Sequence, residues 1–366
     1  MRNAYCGAPL TENCMFDIDL VSKVICELKR GKAAGLDSLT AEHLKNCHPI
    51  VVTILARLFN LMLLCGHVPV CFGRSFTIPI PKVNDCRTKS LTTDDFRGIA
   101  ISCVLSKVYE LCIYDRFQHF LYSSANQFGF KKNIGCSHAI YSVRKIVEKF
   151  VKEGSTVNLC ALDLSKAFDK TDHHALFIKL MNRHVPIELL TTLENYWLSN
   201  CWTCVTWGSF LSNFFQINLG VRQGSVLSPF LFAIYVNDIV SNNPVYNGTF
   251  VILYADDILL IAPTINLLQS LLQSCEIELN YLNMLINAKK SCCLRIGPRF
   301  DFTCANINTL SGQIIPWVKQ FRYLGIFIVQ SRVFKVSTSY AKRSFYRALN
   351  AMVKLASLHQ RMLSYT

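Results

Sequence analysis

The chain has 366 residues, 38 Lys and Arg against 24 Asp and Glu, a net charge of +14, and 51% hydrophobic residues. That length allows a large core divided into two or three subdomains and excludes a small stapled scaffold. The positive balance favours a polyanionic partner held through phosphate contacts and counterion release. The longest apolar runs, 61–65 and 258–262, fall far short of the roughly 20 residues a membrane-spanning helix needs, so no membrane partner is expected.

Seventeen cysteines are scattered without a regular spacing, and no secretory signal peptide precedes them. They are read as reduced thiols, mostly small core hydrophobes, in an intracellular protein whose nuclear or cytoplasmic placement the sequence does not set. The single CxxC, Cys201 and Cys204, has no second pair or spaced histidines to complete a zinc site.

In chain order, residues 17–30 place Val21, Val24, Ile25 and Leu28 on one helical stripe, with Asp17 as the cap. Thr40 caps a second short helix, and 50–64 is apolar enough for a buried third. Two prolines make 78–82 extended, and 105–121 reads as another helix. A strand over 156–162 feeds into Asp163, a helix is expected over 167–182, a strand over 213–219, and a helix over 228–239 opened by Pro229. Residues 251–253 and 258–262 are buried strands joined by a hairpin turn. A helix over 267–285, a β segment over 321–329 and a basic, amphipathic helical tail over 339–362 complete the chain.

The chemistry concentrates at Asp256 and Asp257, on the turn between those two apolar strands. Two adjacent carboxylates repel each other beside a core unless a cation compensates them, and Mg²⁺ accepts one or two carboxylates plus substrate phosphates. Asp163 ends another apolar strand, 159–162. If the strands are neighbours, three carboxylates form a cluster able to hold two metals, the arrangement that serves phosphoryl transfer.

These residues carry a family resemblance. Tyr254-Ala255-Asp256-Asp257 resembles the YADD box of reverse transcriptases, and the segment from Asp163 through Lys166-Ala167-Phe168-Asp169 resembles the DxxKAFD box of non-LTR, LINE-type retrotransposon polymerases. Between them, residues 220–229 resemble the GxxQGxxLSP box. Further similarity runs through Gly31 to Asp37, the Ile80-Pro81-Lys82 tripeptide, Arg97 with Lys107 and Glu110, the Gln127 to Phe130 element, Asn287 to Ser291, and Tyr323-Leu324-Gly325.

The resemblance implies an α+β right-hand polymerase with an antiparallel-sheet palm, helical fingers and a partial thumb. Residues 1–157 would be mainly fingers with an N-terminal extension, 158–329 mainly palm, and 330–366 the start of a thumb. It implies an RNA-directed DNA polymerase, a nucleotidyltransferase that adds deoxynucleotides to a primer 3′-hydroxyl, with an RNA template, a DNA primer and dNTPs as partners. Two Mg²⁺ ions, or Mn²⁺ in their place, would be held by Asp163, Asp256 and Asp257. Lys82 and Arg97 would contact the triphosphate, Phe168 would exclude a ribose 2′-hydroxyl by bulk, and Gln223 and Gly224 would lie beside nucleotide and template base.

The primer grip would be Tyr323, Leu324 and Gly325. Lys290 would give the proton to pyrophosphate; Lys289 is equally suitable by chemistry alone, and the match at Asn287 selects its neighbour. Departures from the family pattern are Gly98, where Pro is usual, and Leu36, Ser38 and Thr171; none removes an expected ligand. Group II intron maturases and telomerase-like enzymes are the nearest rivals, and a DNA-templated polymerase a further one. The alternative of another class is an inactive or repurposed retroelement fragment that binds nucleic acid without catalysis.

Overall fold

Apolar runs rich in β-branched residues form the sheets, and amphipathic stretches cover them. A computed structural model describes residues 5–82, 90–243 and 247–363. The fold is mixed α+β with mainly antiparallel sheets. Packing divides the chain into two units that interleave along the sequence: 1–132, 164–242 and 277–285 form one, and 133–163, 243–276 and 286–366 the other. The chain therefore passes from one to the other immediately after Asp163.

In the first unit, the strand Arg74–Pro81 pairs antiparallel with Phe96–Ser102 on one side and parallel with Trp202–Trp207 on the other. Short strands Phe210–Leu211 and Phe215–Gln216 extend from Trp202–Trp207. Asp17 caps the helix Ile18–Glu27 by accepting the N–H of Leu20 at 2.7 Å, as the sequence predicts. The helix Ile50–Cys65 has one buried side, with Leu55, Phe59, Met62 and Leu63, whereas Ile50, Ile54, Leu61 and Leu64 are exposed. An all-round apolar sequence cannot say which side a neighbour will cover.

The helix expected over 167–182 is broken into a 3-10 turn, Ala167–Lys170, and a helix, His173–Asn182. Asp172 causes the break, because its carboxylate accepts the N–H of Ala175 at 2.9 Å and caps a fresh start. Similarly, 228–239 resolves into Ser228–Tyr235 and Asp238–Ser241, and only Phe215–Gln216 of 213–219 pairs as a strand.

In the second unit, four antiparallel strands stand in the order Phe250–Tyr254, Asp257–Ala262, Val157–Leu162, Cys292–Ile296. The inner pair is almost wholly buried, which is why these strands read as continuous apolar runs and do not alternate. The helix Cys136–Lys152 buries Ala139, Val143 and Val147 at four-residue spacing, and Leu268, Leu272 and Cys275 of the helix Ile265–Tyr281 are likewise buried. A second sheet joins Gln320–Tyr323, Ile326–Val329 and Lys335–Ser337, and the helix Ser339–Leu363 follows. No helix among the described residues is long and apolar enough to cross a membrane.

Candidate active site

The strand register brings the three expected carboxylates together within the second unit. Leu162 pairs with Ile258, so the next residue on each strand, Asp163 and Asp257, stand side by side at one end of the sheet. Tyr254 pairs with Asp257 across the hairpin, leaving Ala255 and Asp256 as a two-residue turn. Ala255 adopts φ +56, a left-handed conformation costly for a residue with a Cβ, so the tip holds local strain where the carboxylates are presented.

Asp163 is fixed at its backbone. Its N–H donates to Ser291 Oγ at 3.1 Å, and its carbonyl accepts the N–H of Asn287 at 2.8 Å. Ser291 Oγ in turn donates to the Asn287 carbonyl at 2.9 Å, so the 287–291 segment clasps the end of the strand.

The electrostatics follow from burial first and from neighbouring charge second. Burial pushes the Asp257 carboxyl up to about 6, with the charges of Asp256 and then Asp163 adding to it. The residue keeps an exposed edge, so the carboxyl is desolvated by its surroundings without being sealed from water. Asp163 is also raised, by burial and by Asp256, while Lys290 acts in the opposite direction. Lys290 is thus the nearby cation for this cluster, and both it and Lys289 are exposed.

Tyr323 behaves differently from a surface grip residue: it is only 3% exposed, and its hydroxyl has no hydrogen-bond partner among the described residues. Burial holds that hydroxyl far above its ordinary pKa, with Asp257 and Cys136 as the neighbouring charges. The turn beyond it is made by Leu324 and Gly325, both at positive φ (+45 and +89) between the paired Tyr323 and Ile326.

The residues expected to meet the nucleotide lie in the first unit. Arg97 is exposed on the strand Phe96–Ser102, opposite Ile80. Lys82 follows the adjoining strand, and its ammonium donates to the Asp94 carbonyl at 2.8 Å. The Gln223 carbonyl accepts the N–H of Ala100 at 2.8 Å, and Gln223 Nε2 lies 3.4 Å from Asp169 Oδ1. Phe168 stacks on Phe232 with ring centroids 4.2 Å apart and meets Phe130 edge-on at 6.1 Å, which leaves part of its ring accessible.

Residues 80–328 match the family described as reverse transcriptase (RNA-dependent DNA polymerase). The chain belongs to the reverse transcriptase family. Among curated relatives of the chain, the RNA-directed DNA polymerase from mobile element jockey of Drosophila funebris is 25% identical over 358 residues, covering 92% of the chain and 37% of that protein. The Pol polyprotein from the type-2 retrotransposable element R2DM of Drosophila melanogaster is 26% identical over 306 residues, covering 80% and 28%. The chain spans about a third of the length of these relatives. Apo telomerase from Candida tropicalis aligns with TM-score 0.50 at 13% identity, covering 79% of this chain and 60% of that one, a likeness of fold. The fold is that of the right-hand polymerases.

Sequence reasoning matched Glu110 to a family segment without finding what it does in this chain. Its carboxylate is 1% exposed and accepts four hydrogen bonds: Tyr196 Oη on Oε1 at 2.6 Å, and Ser225 Oγ, the Val226 N–H and the Leu227 N–H on Oε2 at 2.6, 2.6 and 3.0 Å. It therefore caps the approach to the helix Ser228–Tyr235 from outside that helix. Arg222, also buried, lies with its guanidinium carbon 4.9 Å from the centroid of the Tyr196 ring, and the Glu110 charge is among those acting on it. The sequence signal was a Glu among the apolar residues of the helix Val104–Phe117, but nothing in sequence points to hydrogen-bond donors 86 to 117 residues away.

Among the described residues, no three or more acidic, cysteine or histidine side chains stand grouped so as to hold a metal ion by themselves. The donor set nevertheless fits a hard divalent cation. All three carboxyls offer only oxygen, two of them are held above their usual range by burial and by neighbouring carboxylate charge, and Mg²⁺ completes such half-sites with water and substrate phosphate.

Proposed function

We propose that this chain carries the polymerising core of a non-LTR retrotransposon reverse transcriptase, adding deoxynucleotides to a primer 3′-hydroxyl against an RNA template. The observation that supports this most is the register pairing that sets Asp163 beside Asp257 at the rim of one sheet, next to the Asp256 turn. By chain segment, 1–157 would serve mainly as fingers, 158–329 mainly as palm and 330–366 as the beginning of a thumb, a functional division distinct from the two packing units.

Asp163 and Asp256 would hold the divalent ions, with Asp257 adding charge and orientation. Bound Mg²⁺ ions would supply acidity at the primer hydroxyl and charge neutralisation at the departing pyrophosphate. Arg97, with a planar guanidinium, and Lys82, with a point charge, would bind and orient the triphosphate. Phe168, held against Phe232, would set the wall that a 2′-hydroxyl meets. Lys290 would hold a proton near Asp163 and pass it to the leaving group. Gln223 and Gly224, locked to Ala100, would lie beside the nucleotide and the template base.

Mg²⁺-dependent extension of a DNA primer on an RNA template, compared with Asp256→Asn, tests the reading. Extension by the wild type and at least a thousandfold loss in the variant supports it. Extension that persists in the variant, or none in either protein, counts against it and favours a fragment that only binds nucleic acid.

A further inference from the structure

The hairpin that Trp202–Trp207 makes with Phe210–Leu211 in the first unit has a surface that the catalytic reading does not use. Residues 207–215 are exposed without interruption. Five of these nine, Trp207, Phe210, Leu211, Phe214 and Phe215, are large and apolar, with Phe210 78% and Trp207 62% exposed. Exposed apolar patches of this density mark a binding surface.

Charge says which kind of partner fits. No Asp or Glu occurs between Glu194 and Asp238, and the strands Arg74–Pro81 and Phe96–Ser102 contain none either. Arg74 lies over the Phe214 ring at 5.5 Å, and Trp207 meets Phe96 edge-on at 5.6 Å, which orients its indole while leaving it open to solvent. Asp94 and Asp95, just before Phe96, are engaged by Lys166 and Thr92. Flat aromatic faces, a guanidinium stacked on one of them and no carboxylate on the hairpin itself are what successive unpaired bases and their phosphates require. A paired duplex hides its base faces and gains nothing from such rings.

We infer that the hairpin tip is a stacking platform for single-stranded nucleic acid, with Trp207 and Phe210 taking unpaired bases and Arg74 facing the backbone. The platform rests on the polymerase reading for its biological strand, which would be unpaired RNA template.

The test uses fluorescence anisotropy of a labelled 15-nucleotide single-stranded RNA and of a 15-base-pair RNA duplex, with the whole chain at fixed salt. Trp207→Ala/Phe210→Ala is expected to weaken single-strand binding at least tenfold, in line with about 1–3 kcal/mol per stacked base, and to change duplex binding less than twofold. Trp207→Tyr/Phe210→Tyr, which keeps the rings, is expected to restore single-strand affinity to within about threefold of wild type. Unchanged single-strand affinity, equal weakening of both ligands, or a changed oligomeric state in sedimentation with RNA affinity intact would each overturn the platform. Wild-type extension on a template with one unpaired nucleotide reads the polymerase activity separately, so failure there leaves the stacking result standing on its own.

Discussion

Gly224 stands against Ala100 so closely that a Cβ on it would lie 2.2 Å from the Ala100 carbonyl oxygen, and its φ of +134 is one L side chains rarely adopt. The neighbouring Ala100 N–H is already bonded to the Gln223 carbonyl, so the two segments are locked backbone to backbone. Gly224→Ala is expected to force the segments apart, costing about 2–4 kcal/mol. Thermal denaturation should show a drop of several degrees, and extension should fall with a raised KM for dNTP. A variant as stable and active as wild type would show that this close approach is dispensable.

Glu110→Ala strands the Val226 and Leu227 N–H groups and the Tyr196 hydroxyl in the core, and leaves Arg222 without its opposing charge. The expected loss is about 3–5 kcal/mol. Glu110→Gln, which keeps acceptor oxygen but loses the charge, should fall between the two in urea denaturation. Equal stability of all three proteins would contradict the clamp.

Much of this architecture was legible in the sequence, and the exceptions share a cause. The carboxylate strands were readable because burial on both faces makes continuous apolar runs, and Asp17 because a cap is a local signal. The partners of Glu110 were not, since they come from segments joined only by tertiary packing. The helix Cys136–Lys152 was legible too, since its stripe of Ala139, Val143 and Val147 lies opposite polar and basic residues, although no expectation covered it. The exposed side of Ile50–Cys65 defeated reading because composition there is apolar all round. Asp163 could be proposed as a neighbour of the hairpin from its motif, but only register sets it beside Asp257.

Asp257 gives a pH prediction. Its folded pKa, about 6, lies above the value of roughly 3.9 for an unfolded chain. A raised carboxyl contributes stability below pH ~4 and loses it as pH rises through about 6. In EDTA, wild-type stability should therefore decline across that window, by no more than about 1 kcal/mol from this exposed group after solvent screening. Asp257→Asn should flatten the decline, and Mg²⁺ should raise the wild-type melting temperature more at pH 7.5 than at pH 5. A metal effect independent of pH would contradict this.

Lys290 and Lys289 separate by their neighbours, since only Lys290 acts on Asp163. Single-turnover incorporation should slow about a hundredfold in Lys290→Ala, in the range for a lost general acid, and less than threefold in Lys289→Ala. The reverse order would move the proton donor to Lys289.

The most direct test of the central claim is a double-mutant cycle on the incorporation rate with Asp163→Asn and Asp256→Asn. Groups that serve one site lose their function together. Each single variant is expected to lose at least about a thousandfold, and the double variant to be no slower than the worse single within about threefold. Losses that multiply, or a single variant that keeps wild-type rate, would show that these aspartates do not act as one site.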